Sequence, residues 1–160
     1  MPPKAYLVTR IHGSDRREVA CLSCEQDRDI DAAELVASLD EKKRADLRRK
    51  VFSSFDLWIA FVPNPKRWHG WNEDGYRHCI VFKWSERDGG HRLYGFTCHP
   101  VASRPDFQVS VLVSHRTKNE AHTDPKEKTR AERLRLDANV IAAIKKAFAE
   151  KEERKKPWVH

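Results

Sequence analysis

The stretch HRLYGFTCHPVASRPDFQVSVLVSHRTKNEAHTDPKEKTRAERLRL, His91 to Leu136, decides how the fold is read. It runs strand, loop, strand, basic corner, capped helix. Phe107, Val109, Val111 and Val113 alternate with Gln108, Ser110, Leu112 and Ser114, a strand period with one strongly apolar face. His115, Arg116, Lys118 and Asn119 follow at once. Asp124 then fits a helix N-cap, Pro125 the first helical position and Glu127 the third, where a carboxylate can reach back as a capping box. Polar chemistry is concentrated where an apolar strand hands over to a helix.

Working upstream, Tyr76 to Trp84 reads as a strand and Arg87-Asp88-Gly89-Gly90 as a tight hairpin turn. His91 to Cys98 then pairs back, and with Phe107 to Ser114 it makes a three-stranded antiparallel meander. Before it, Lys66-Arg67-Trp68-His69-Gly70-Trp71-Asn72 reads as a loop rich in cations and stacking rings. Two helices precede that loop. Ala32, Leu35, Val36 and Leu39 mark the first. Leu47, Val51, Phe55 and Trp58 mark the second, whose other faces carry Lys42, Lys43, Arg44, Arg48, Arg49 and Lys50. That basic face is either solvated or a partner surface. Ala5 to Ile11 and Glu18 to Ser23 read as an opening hairpin. Downstream, Asp137 can restart a helix through Val140, Ile141, Ile144 and Phe148, and Glu150 to Lys156 is a charged tail expected to fray.

A chain of 160 residues with five Trp and seven Phe has room for one real core, so a single domain is expected over 1–160. The net charge is +7, and it is uneven. Residues 1–90 hold 16 Lys+Arg against 15 Asp+Glu, whereas residues 91–160 hold 15 against 9. A basic half points to a polyanionic partner, nucleic acid first. No apolar run is long enough to cross a bilayer, and the apolar run at the N-terminus is too short for a signal peptide. The expectation is a cytoplasmic protein with reduced cysteines and no membrane partner.

Gly-rich phosphate loops, GxSxG and HExxH are all missing from the chain. The strands of the meander carry almost no acids, so clustered carboxylates for a two-metal nuclease are not expected. RNA cleavage here would need a base for the 2′-hydroxyl, a cation for the developing phosphate charge and an acid for the leaving oxygen. His115 is either a proton-transfer group or a residue bonded to backbone. Arg92 shares a strand face with Tyr94, Phe96 and Cys98, in a groove or in a structural ion pair. Trp68 and Trp71 either stack bases or pack in the core. Cys21-x-x-Cys24 lacks a second pair at zinc-finger spacing, which favours buried thiols over a metal site.

With these residues in view, positions 64–135 resemble the RelE/HigB-type bacterial toxins, especially their phage-derived branch. The resemblance runs through Asn64-Pro65-Lys66-Arg67-Trp68-His69-Gly70-Trp71, Tyr76-Arg77-His78, Arg92-Leu93-Tyr94-Gly95-Phe96 and Val111 to Asn119. It closes with Thr123-Asp124-Pro125-Lys126-Glu127, Arg130-Ala131 and Leu134. It implies an α+β fold: a small antiparallel sheet with two N-terminal helices on one face and a C-terminal helix, the toxin-like core spanning about 20–136 and a charged helix and tail spanning 137–160. It further implies a metal-independent mRNA endonuclease without cofactors, acting on ribosome-bound mRNA and neutralised by a cognate antitoxin. Arg92, Arg116 and Lys118 would hold the scissile phosphate, with Tyr94 or His115 moving protons. Lys66, Arg67, Trp68, Arg77 and Asn119 would bind RNA. The alternatives are a non-catalytic RNA- or DNA-binding module on the same fold, and a small zinc-stabilised interaction protein. The chain departs from the usual compact toxin in residues 1–20, in the wide loop after Cys98 and in the long tail after Leu136.

Overall fold

A computed structural model describes residues 4–117 and 123–154. Among them are six strands, β1 Leu7–Gly13, β2 Arg17–Ser23, β3 Trp68–Gly70, β4 Cys79–Glu86, β5 Gly89–Cys98 and β6 Gln108–Thr117. Four helices accompany them, α1 Ala32–Ser38, α2 Ala45–Ile59, α3 Thr123–Arg135 and α4 Ala138–Arg154. The strands form one sheet in the order β1-β2-β6-β5-β4-β3. The class is α+β, and the β4-β5-β6 meander is antiparallel as expected. The sheet as a whole is mixed, however, because β2 lies parallel to β6. It is also wider than the sequence suggested: the aromatic loop folds into the edge strand β3, paired with β4 through Trp68–Phe82 and Gly70–Ile80.

Both faces of this sheet are covered. Val19 and Cys21 of β2 point to one side, where Val51, Phe55 and Trp58 of α2 and Val36 of α1 meet Ile80, Phe82, Leu93 and Leu112. Val51, Phe55 and Trp58 recur at helical spacing, and both aromatic rings meet Phe82 edge-on, with centroids 5.1 and 6.1 Å away. Ala20 and Leu22 point to the other side, where Val140, Ile144 and Phe148 of α4 and Leu134 of α3 pack on Phe96, Val109, Val111 and Val113. Central strands buried on both faces read as continuous apolar runs rather than alternations, as Val19-Ala20-Cys21-Leu22 does.

Two local details position the site. The register of β5 against β6 shifts between Tyr94 and Gly95, where Tyr94 faces Ser114 and Gly95 faces Leu112. Val113 is the extra residue of that bulge, and Arg92, Tyr94, Ser114 and Arg116 all end up on the α3 side. The helix after β6 begins at Thr123, two residues before the expected first helical position at Pro125, so Asp124 lies in its first turn rather than at the N-cap. Its acids serve the sheet: Asp124 reaches Arg92 and Tyr94, and Glu127 reaches Ser114. Asp137, by contrast, caps α4 as its sequence suggests, accepting the N–H groups of Asn139 and Val140 at 2.8 and 3.1 Å.

Candidate functional site

On the α3 face, Lys83 of β4, Arg92 of β5 and Arg116 of β6 stand directly opposite one another in the ladder. Like charges in cross-strand register repel, so such a row needs compensation. Arg92, only 6% exposed, donates from Nη1 to Asp124 Oδ1 at 2.6 Å. The buried Tyr94 hydroxyl donates to the same oxygen. Burial pushes the Tyr94 phenol up, and the bond to Asp124 adds to the shift. Burial would also raise Asp124, but the bonds from Tyr94 and Arg92 and the Arg92 charge outweigh it and hold the carboxyl below its ordinary value. Arg116 meets both oxygens of Asp31 at 2.9 Å and lies 3.5 Å from buried Glu127. Glu127 also takes Ser114 at 2.7 Å and Arg130, which lies 3.4 Å from Asp29. Lys128 pairs with Glu73 at 3.2 Å and sits over the Trp71 and Tyr76 rings. Arg92, Arg116, Lys128 and Arg130 therefore meet five carboxylates, Asp124, Asp31, Glu127, Glu73 and Asp29, and these four cations leave no surplus positive charge.

His115 does not join that cluster. It lies on the opposite face, where its ring, His91 and Trp84 lie nearly parallel with centroids 5.2 to 5.7 Å apart. Burial lowers the His115 pKa, and the neighbouring His91 adds to the shift. Arg92 and His115 cannot reach one phosphate from two sides of a sheet. Lys118 and Asn119 lie outside the described residues. What sequence reasoning missed on the Arg92 side is Lys83, Asp124 as a shared acceptor, and His69. Burial lowers the His69 pKa, with the Lys83 and Arg92 charges adding, and its ring meets Trp71, which in turn stacks on Tyr94 at 6.5 Å.

The expected RNA-contacting residues separate by role. Arg67 is a tie, donating to Ser54 Oγ at 2.9 Å and to the Lys50 carbonyl at 2.7 Å. Trp68 packs against the α2 core and donates from Nε1 to the Val62 carbonyl at 2.8 Å. Arg77 is exposed and held by Asp74 and Asn72. Lys66 is exposed beside Arg67. Around them runs a second basic surface. Lys50 donates to the Ser85 carbonyl at 2.8 Å, Lys83 to the Pro65 carbonyl at 3.1 Å, and the Lys83 N–H to the Arg67 carbonyl. Residues 40–67 carry eight Lys+Arg against four Asp+Glu. The ion pairs of this segment, Arg48–Asp40, Lys43–Glu41 and Arg49–Asp46, are exposed and hold their partners weakly.

The Cys21-x-x-Cys24 spacing does not make a chelate. Cys21 is buried in the core under α1 and α2, its thiol pushed up to about 12 by burial, while Cys24 belongs to the core on the other face. A different donor set, Glu86, Asp88 and His91, gathers at the β4–β5 turn. No described helix is long and apolar enough to cross a membrane. Comparison with protein-family models, curated proteins and solved structures gave no match to this chain.

Proposed function

We propose that the protein is a basic RNA-binding module that docks through the edge formed by α2, β3 and the start of the Lys66–Arg67 segment. The observation that carries this reading is that Lys50 and Arg67 are bonded to neutral carbonyl and hydroxyl oxygens, so their charges stay available to phosphates. Arg92 and Arg116 on the strands and Lys128 on α3 are already paired with acids. His69 and Trp71 flank the same edge and offer rings to unstacked bases. Binding to a single-stranded RNA should weaken steeply with salt. Lys50→Glu combined with Lys66→Glu should lower affinity about tenfold or more and flatten the log–log salt slope by about 1.4, two phosphate contacts on a single strand. Arg92→Met should bind within about twofold of wild type. A salt-independent titration, or a loss confined to the Arg92 variant, sinks this reading.

The second reading is a toxin-like endonuclease acting on ribosome-bound mRNA and checked by an antitoxin. One observation favours it: Lys83, Arg92 and Arg116 form a row across three strands with Tyr94 on the same face. In that reading Asp124 must leave Arg92 before a phosphate can take its place. Induced expression in a bacterial host, with mapping of mRNA 5′ ends, separates the two readings. Cleavage predicts growth arrest and new in-frame ends that vanish in Arg92→Ala/Lys118→Ala. Unchanged ends from soluble, folded protein leave the binding module.

A further inference from the structure

The β4–β5 turn carries a donor set that neither RNA reading uses. His91, 7% exposed, directs Nε2 at Asp88 Oδ1, 2.8 Å away, and at Glu86 Oε2, 3.0 Å away. Its Nδ1 lies 3.0 Å from His115 Nε2. We propose that Glu86, Asp88 and His91 form a three-ligand site for a divalent transition metal of the zinc class, which clamps the hairpin and leaves one coordination position open to solvent or to an incoming donor.

The geometry fits such an ion closely. One ligand atom from each side chain can be chosen so that all three lie within 4.8 Å of one another. Donors on a tetrahedral ion at about 2.0 Å lie roughly 3.3 Å apart, so the two gaps from His91 Nε2, 2.8 and 3.0 Å, need to open by only a few tenths of an ångström. Asp88 is exposed and Glu86 half-buried on a turn, where that adjustment is cheap. Two carboxylates with a neutral imidazole also supply the two negative charges that balance a divalent cation.

A metal-binding imidazole is usually fixed through its other nitrogen, and a ligating carboxylate through a second contact. Both contacts exist here. His115 Nε2 receives the Nδ1 side of His91, and Trp84 Nε1 donates to Glu86 Oε2 at 3.0 Å. The stacked rings of Trp84 and His115 hold the His91 plane. Imidazole with carboxylate selects zinc, cobalt, nickel or manganese over calcium and magnesium, which take oxygen donors. The site sits across the sheet from Arg92 and next to Ser85, whose carbonyl holds Lys50. It stands independently of the RNA-binding reading.

The test uses the full chain without a histidine tag, stripped by chelator and titrated with Co2+ and Zn2+. Wild type should bind one ion with micromolar or better affinity and give the visible bands of low-symmetry, four- or five-coordinate Co2+. Asp88→Asn should weaken binding about tenfold or more, and His115→Phe, which keeps a ring in the stack, by about tenfold through loss of the orienting contact. Asp88 is exposed, so its variant keeps the test informative even if His91→Gln fails to fold. Thiolate-to-cobalt charge transfer would hand the ion to the cysteines and overturn the assignment. So would binding that needs millimolar metal, or binding unchanged by Asp88→Asn.

Discussion

Replacing Gly95 by alanine is expected to cost about 3 kcal/mol or more and to leave little folded protein at physiological temperature. An ideal Cβ at Gly95 would lie 2.1 Å from the Val111 carbonyl oxygen and 2.9 Å from Leu112 Cα. Both obstacles are backbone atoms of the neighbouring strand, so no rotamer change relieves them. β5 and β6 would have to separate beside their bulge, in the middle of a sheet packed on both faces. Gly75 makes the natural control. Its φ of +88° strains any side chain, but a Cβ there meets nothing within 4 Å, so Gly75→Ala should cost only about 1 kcal/mol. Urea unfolding followed by circular dichroism measures both. A Gly95→Ala protein within 1 kcal/mol of wild type would mean that the two strands do not approach as described.

The second large effect is an asymmetry. Asp124→Ala should destabilise by about 3 kcal/mol, because it strands a guanidinium whose side chain is 8% exposed and removes the acceptor of the Tyr94 hydroxyl. Arg92→Met should cost less, about 1 kcal/mol. It removes the buried charge, and Asp124, 35% exposed, can hydrate the carboxylate left behind. The pair also sets an acid limit. The folded pKa of Asp124 lies below its unfolded value, so its contribution is complete above the ordinary carboxylate range and is lost as the pH falls through the folded value. Equal costs for the two single variants would show that Arg92 is not buried in this pair.

Lys83 shows how much of the site the sequence held. The tight turn at Arg87-Asp88 places Glu86 opposite Gly89, and counting back along both strands puts Lys83 opposite Arg92. The turn read from the sequence, Arg87-Asp88-Gly89-Gly90, centres instead on Asp88-Gly89 and would put Lys83 opposite Tyr94, so a loop displaced by one residue hid this row. The pairing of Arg92 with Arg116 was hidden as well, because a nine-residue stretch from His99 to Phe107 joins the strands and a bulge at Val113 shifts the count. The elements themselves were legible: the helical spacing in α1, α2 and α4, the Asp137 cap and the meander all follow from periodicity and turn chemistry. The parallel β2–β6 contact was missed although Val19-Ala20-Cys21-Leu22 carries its mark, an unbroken apolar run. The burial of Arg92 could not be read, since the acid that neutralises it lies on a helix after the next strand, and strand alternation says nothing about what covers a face.

The parallel contact also governs when this chain can fold during synthesis. β2 is made early, yet one of its two partners, β6, emerges only after α1, α2, β3, β4 and β5. Until Gln108 to Leu112 slide in beside Arg17 to Cys21, neither layer of helices has a complete surface to rest on. The nascent chain thus offers a hairpin and two amphipathic helices with their apolar sides uncovered, and closure of the sheet is a late, long-range event. Arrested chains ending before β6 should be protease-sensitive throughout and bound by chaperones, and the transition to resistance should come in one step once β6 and the helices α3 and α4 that cover its second face have cleared the exit tunnel.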